Sequence, residues 1–148
     1  MNWSLKTLVF SGGQADQIAR EAAAAYPNEC CGIIFGREKG GERLVARLEA
    51  VPNVFDRSER YHRFSISPKQ LMDADRAAGE RNELVLGFYH SHPDHPAQPS
   101  EYDREHAWPF YSYVIIAVSS GRPGEMKSWQ LNEASEQFDW QGIAVYTR

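Results

Sequence analysis

Ala15, Ile18, Ala19, Ala22, Ala23 and Tyr26 recur at helical intervals, and this spacing predicts a first helix running to about Tyr26. Ser11-Gly12-Gly13-Gln14 has the form of a capping box ahead of it, with Phe10 and Ala15 as the hydrophobic staple. Pro27 disfavours helical geometry at Tyr26 and ends the helix. Leu5 to Phe10 reads as a short strand before it. The apolar run Gly32 to Gly36 reads as a buried strand, Glu38-Lys39-Gly40-Gly41 as a turn, and Arg43 to Ala50 as the returning arm of a hairpin. Val51 to Glu59 is polar and irregular around Pro52, and Tyr61 to Ile66 alternates as a strand does. Ser67-Pro68-Lys69-Gln70 then supplies a cap, a proline at the first helical position and a glutamine to close the box. Ile66 and Leu71 form its staple, and the helix is expected to end near Gly79.

Leu84-Val85-Leu86 enters the core as a strand. Because side chains alternate along a strand, Leu84, Leu86, Phe88, His90 and His92 are expected on one face. Pro93 cannot donate a ladder hydrogen bond and stops the strand. After a loop containing Pro96 and Pro99, Ser100 fits a helix N-cap and Asp103 the third helical position, where the helix's positive end favours an ionised carboxylate. Pro109 is expected to terminate this short helix. Tyr111 to Ser119 reads as a long apolar strand, Gly121-Arg122-Pro123-Gly124 as a turn, and Met126 to Leu131 and Phe138 to Tyr146 as closing strands. No repeat or linker interrupts the order. The prediction is one α+β domain over residues 1–148, a curved mixed β-sheet with helices packed on it.

Composition narrows the function classes. A formal charge of −4 without a basic run gives no footprint for nucleic acid or an anionic membrane. Cys30 and Cys31 are the only cysteines, so a disulfide framework is excluded and a reducing compartment fits. Met1 to Phe10 lacks the apolar run of a signal peptide, so a cytoplasmic location is the expectation.

The unusual chemistry lies between Gly87 and Trp108. Two histidines at the end of a rigid strand and a carboxylate in the first turn of a helix make a three-ligand zinc site with one position open, the catalytic arrangement. Each residue also has a plainer reading. His90 and His92 alone fit polar residues at a strand end, Ser100 and Asp103 fit a helix cap, and Glu29 fits a solvated carboxylate. Among the remaining histidines, His106 lies one turn beyond Asp103 as a substitute ligand, His95 sits on the proline loop, and His62 shares a strand face with Phe64 and Ile66. Cys31 reads as a small buried thiol, and Trp3, Trp108, Trp129 and Trp140 as core or edge packing.

His90-Ser91-His92-Pro93, six residues, Ser100, two residues and Asp103 resemble the JAMM (MPN+) metallopeptidase motif H-x-H-P-x6-S-x2-D at every defined position. Pro27 to Gly36 looks like the family's upstream segment, with Glu29 in the place of its glutamate, and the similarity runs from about Ser11 to Leu131. The resemblance implies an MPN-type fold and one catalytic Zn2+ held by His90, His92 and Asp103. It implies Glu29 as general base and Ser100 as hydrogen-bond donor to the oxyanion. It also implies hydrolysis of a peptide or isopeptide bond after the C-terminal Gly-Gly tail of a ubiquitin-like protein. The chain lacks room for the insertions of eukaryotic deubiquitinating members and is most similar to small bacterial members that process sulfur-carrier proteins.

Two other readings of the same letters are open. A non-catalytic MPN-type interaction module keeps the fold without the chemistry, although such members lack part of the motif. His90-Ser91-His92-Pro93-Asp94-His95 also fits H-x-H-x-D-H of metallo-β-lactamase-like hydrolases, which need further downstream ligands where only His106 remains. A cupin-like iron site conflicts with three capped helices, and a nucleobase deaminase needs H-x-E and P-C-x-x-C, which are absent.

Overall fold

The computed structural model describes residues 5–52 and 66–147. Strand β1 (Thr7–Ser11) leads into helix α1 (Gly12–Ala25), then the hairpin β2 (Cys31–Lys39) and β3 (Glu42–Val51). Helix α2 (Pro68–Glu80), strand β4 (Leu84–Pro93) and the short helix α3 (Glu101–Glu105) follow. The chain closes with β5 (Ser112–Ser119), β6 (Arg122–Asn132), β7 (Gln137–Gln141) and β8 (Ile143–Tyr146). The three expected capping boxes are all formed, at Ser11/Gln14, Ser67/Gln70 and Ser100/Asp103. Each satisfies two backbone N–H groups that a helix start leaves without partners.

The strands form a mixed sheet in the order β7-β6-β5-β4-β2-β3-β1-β8. β4 runs parallel to β5 and antiparallel to β2, and β1 runs parallel to both β3 and β8. One face carries α1, through Ile18 and Ala22, over Leu8, Phe10, Ile34, Leu86, Tyr89 and Val114. The other carries α2, through Ala74 and Ala78, over Ile33, Phe35, Val85 and Phe88. Nine of the ten β4 residues are buried, as expected of a central strand covered on both faces. Neighbouring strands come close because two positions have no side chain. A Cβ on Gly87 would lie 1.8 Å from the Ser112 carbonyl oxygen of β5, and one on Gly32 of β2 would lie 2.1 Å from the Tyr89 ring.

Several expectations need correction. The β2–β4 register shifts so that Ile34 faces Gly87 but Phe35 faces Val85, leaving Leu86 as an extra residue. This bulge inverts the alternation: Leu86 packs on the α1 side with Tyr89, whereas Phe88 packs on the α2 side. Leu84, Leu86 and Phe88 therefore do not share one face. α3 ends at Glu105 with His106 as its cap, short of Pro109. β6 begins at Arg122, inside the expected turn. Trp108 and Trp140 are exposed rather than packed. The irregular stretch after Val51 and the strand over Tyr61 to Ile66, with His62, lie outside the described residues apart from Val51, Pro52 and Ile66.

The closing strand also differs. Phe138 to Tyr146 is split at Gly142 into β7 and β8, which occupy opposite ends of the sheet order. A one-residue connection between the two ends requires the sheet to curl back on itself. Gln141 is fully buried at this closure. Its amide nitrogen donates to the Lys6 carbonyl at 2.7 Å, and its carbonyl accepts from the Ser128 hydroxyl at 2.6 Å. Leu8 N donates to Gly142 O at 2.9 Å beside it. Gln141→Leu leaves the part-buried Lys6 carbonyl and the buried Ser128 hydroxyl without these partners, so urea denaturation is expected to show a loss of about 2–4 kcal/mol. An unchanged midpoint would mean that the closure does not depend on Gln141.

Candidate metal centre

β4 delivers His90 and His92 from its buried C-terminal half, and the capping box of α3 delivers Asp103. The Nε2 atoms of the two rings are 3.1 Å apart, and Asp103 Oδ2 lies 3.3 Å from His90 Nε2 and 3.2 Å from His92 Nε2. The His90 side chain is 1% exposed, His92 8% and Asp103 9%. Four donors tetrahedrally placed about 2.0–2.1 Å from a zinc ion stand roughly 3.3 Å from one another, so this triangle matches three corners. The chemistry matches as well. His92 Nδ1 donates to the Pro96 carbonyl at 2.9 Å, which leaves its Nε2 as a lone pair facing the site.

Burial holds the His90 imidazole below its ordinary pKa, against the opposing pull of the Asp103 charge, and so favours the neutral ring. Burial alone would raise Asp103. The His90 charge, hydrogen bonds with both rings and the Ser100 amide outweigh it and hold the carboxyl well below its usual range. Neutral imidazole and ionised carboxylate are the forms that bind a divalent cation.

Glu29 reaches this centre through the neighbouring strand. Cys31 pairs with His90 across the β2–β4 ladder. Ser91 N donates to the Cys30 carbonyl at 3.2 Å, and the Ser91 hydroxyl accepts from Cys30 N at 2.9 Å, which carries the alignment onward. Glu29 thereby falls opposite His92 and on the same face. It is buried, 6% exposed, and burial first, with the Asp103 charge second, pushes its carboxyl up to about 9. The two thiols are not poised as ligands. Burial pushes Cys30 up to about 11 and Cys31 up to about 12, and Cys31 Sγ donates to the Val51 carbonyl at 3.4 Å.

The family model for prokaryotic homologs of the JAB domain matches residues 13–132. The chain belongs to the prokaryotic JAB family. It is 36% identical over 101 residues to a desampylase of Haloferax volcanii, covering 67% of this chain and 70% of that one. It is 28% identical over 127 residues to the CysO-cysteine peptidase of Mycobacterium tuberculosis, covering 84% and 82%. Among solved structures, a protein of Desulfitobacterium hafniense superposes with a TM-score of 0.81 at 29% identity, covering 96% of this chain and 94% of that one. A JAB1/MPN domain protein of Archaeoglobus fulgidus superposes at 0.58 with 17% identity over 97% and 98%, a likeness of fold that agrees with the expected MPN architecture.

In this JAB domain Ser100 and Asp103 are indeed a helix cap. Asp103 N donates to Ser100 Oγ at 3.0 Å, and Ser100 N donates to Asp103 Oδ2 at 2.9 Å, the same oxygen that faces the rings. Ser100 itself is exposed and lies against a shallow groove with Gln98, Glu101, Arg104 and Trp129. On the other side of α3 a cavity of about 180 Å³ opens against His90 and Asp103, walled by Ile66, Phe88, Tyr102, Trp108 and Tyr113. His106 is not in the triangle; its Nδ1 donates to the Tyr102 carbonyl at 2.8 Å and its ring stacks on Tyr102. His95 is exposed. Asp94, needed by the metallo-β-lactamase reading, is spent elsewhere: its carboxylate accepts from Tyr26 Oη at 2.6 Å and Ser120 N at 2.8 Å.

Sequence reasoning missed Ser91, the Pro96 carbonyl and the Asp94 clamp that holds the loop supplying it. No helix among the described residues is long and apolar enough to cross a membrane.

The Glu29 shift has a definite sign. Its carboxyl titrates near 4.5 when unfolded and near 9 when folded, so between these values the folded state binds more protons and stability falls as pH rises. In chelator-treated protein, Glu29→Gln is expected to match the wild type near pH 4 and to melt several degrees higher near pH 8. Melting curves that stay parallel across this range would contradict the burial assigned to Glu29.

Proposed function

We propose that this chain is a zinc-dependent peptidase or isopeptidase that cleaves after the C-terminal glycine tail of a ubiquitin-like protein, with a sulfur carrier as the favoured substrate. The observation that carries the reading is the 3.1–3.3 Å triangle of His90 Nε2, His92 Nε2 and Asp103 Oδ2 with buried Glu29 beside it. The names of the relatives, desampylase and CysO-cysteine peptidase, support hydrolysis and a carrier-type substrate. The resemblance to JAMM enzymes supports zinc and assigns the remaining roles.

A bound zinc ion supplies Lewis-acid polarisation of the scissile carbonyl and brings the pKa of water from 15.7 toward about 7. His90, His92 and Asp103 hold it and leave one side of the triangle for water and substrate. Glu29 in its ionised form, which the charge of a bound cation would favour against burial, takes the proton of the attacking water and passes it to the departing nitrogen as the C–N bond breaks. The products are a carrier carboxylate and a free amine. Positioned acid–base transfer of this kind contributes about 10²–10⁴-fold. Ser100 accepts from Asp103 N and keeps its own hydroxyl proton to donate to the carbonyl oxygen as charge develops there, a role worth ~3 kcal/mol of barrier. A Gly-Gly tail suits the site because a backbone without side chains approaches closely.

Zinc analysis and mass spectrometry of carrier adducts test these roles together. The wild type is expected to retain one zinc after purification without added metal, and His92→Ala to lose it. Glu29→Gln should keep the zinc while turnover falls about 10²–10⁴-fold. Unchanged turnover in Glu29→Gln contradicts the assigned base. Absence of stoichiometric zinc from the wild type favours a non-catalytic interaction module instead.

A further inference from the structure

We propose that the aromatic cavity beside the candidate ligands receives the carbon chain of the leaving amine, and that the enzyme therefore prefers amines bearing an aliphatic or aromatic chain of four or more carbons. The inference rests on the proposed cleavage after a glycine tail. On the acyl side of that bond the last two residues have no side chain, and the first one that does sits two residues back, about 7 Å along an extended chain. On the nitrogen side the carbon chain begins at the atom next to the reacting bond. A cavity that shares His90 and Asp103 as walls adjoins the reaction centre, so the nitrogen side fills it.

The walls state what they accept. Phe88 is 2% exposed and packs its ring 5.2 Å from Tyr111 and 5.8 Å from Tyr113. The Tyr113 hydroxyl accepts from Trp108 N at 2.8 Å, which turns the polar end of that ring away to the backbone. Trp108, 43% exposed, lines the cavity together with Ile66 and Pro68. Among the described residues, neither lysine nor arginine lines the cavity, and the one carboxylate is that of the candidate ligand Asp103. A charged side chain would find no counter-ion among these residues. A dry cavity of about 150 Å³ holds a benzene ring, so about 180 Å³ accommodates one phenylalanine or leucine side chain.

One carrier with an unvaried Gly-Gly tail, joined to phenylalanine, leucine, alanine, cysteine or aspartate, tests the assignment by kcat/KM. Phenylalanine and leucine adducts are expected to exceed alanine by about tenfold or more, with aspartate slowest. Trp108→Ala and Ile66→Ala are expected to bring the phenylalanine-to-alanine ratio toward one while zinc content stays constant. A flat series, cysteine released faster than leucine, or a preference that survives both substitutions overturns the proposal. Binding of phenylalaninamide against alaninamide by zinc-loaded protein, followed by calorimetry, reads the cavity without turnover. Discrimination in binding with no cleavage of any adduct would keep the cavity assignment and remove the peptidase reading. Equal binding would remove the assignment.

Discussion

Two imidazole nitrogens and a carboxylate oxygen held within 3.3 Å of one another are a costly arrangement inside a protein. The two Nε2 atoms face each other at 3.1 Å, and the carboxylate is 9% exposed and largely out of water. Burial presses His90 toward its neutral form, while Asp103 is held ionised by its contact with His90 and by the Ser100 amide. A divalent cation would relieve this crowding, accepting the ring nitrogens as ligands and balancing the carboxylate. Much of the surrounding architecture serves to keep these atoms from moving apart.

That rigidity is built from the sheet outward. β4 lies between β2 and β5, and Gly32 and Gly87 allow the strands and the Tyr89 ring to close up where any Cβ would collide. Tyr89 reaches through the α1 face to donate to Glu21 at 2.5 Å, tying the same strand to the helix. Ser91, between the two histidines, clamps the Glu29 segment alongside. The loop after β4 is pinned by Asp94, so that the Pro96 carbonyl can orient His92. Asp103 serves the cap of α3 and the triangle with one oxygen, so the helix start and the site are a single structure. The alanine-rich helices contribute little chemistry and much cover: without α1 and α2 neither face of β4 would be dry.

Local signals were the legible ones. The capping boxes at Ser11, Ser67 and Ser100 fixed all three helix starts because serine and the third-position glutamine or aspartate act within one turn. The spacing of His90, His92, Ser100 and Asp103 pointed to the cluster that His90, His92 and Asp103 form, because strand, loop and cap are contiguous. What escaped depends on partners distant in sequence. The bulge at Leu86 is imposed by pairing with β2 and leaves no mark in the alternation of Leu84 to Phe88. Gly142 separates two strands that belong to opposite sheet edges, and only buried Gln141, bonded to Lys6 and Ser128, explains how they meet. Carbonyl groups such as that of Pro96 carry no side-chain signature. The exposed Trp108 became meaningful only once the cavity behind it was defined.

Zinc K-edge X-ray absorption of the metal-loaded protein would read out whether His90, His92 and Asp103 are the ligands. A first shell of nitrogen and oxygen alone at about 2.0–2.1 Å is expected, with the outer-shell scattering of two imidazoles. A sulfur scatterer at about 2.3 Å, which would bring in Cys30 or Cys31, would contradict it.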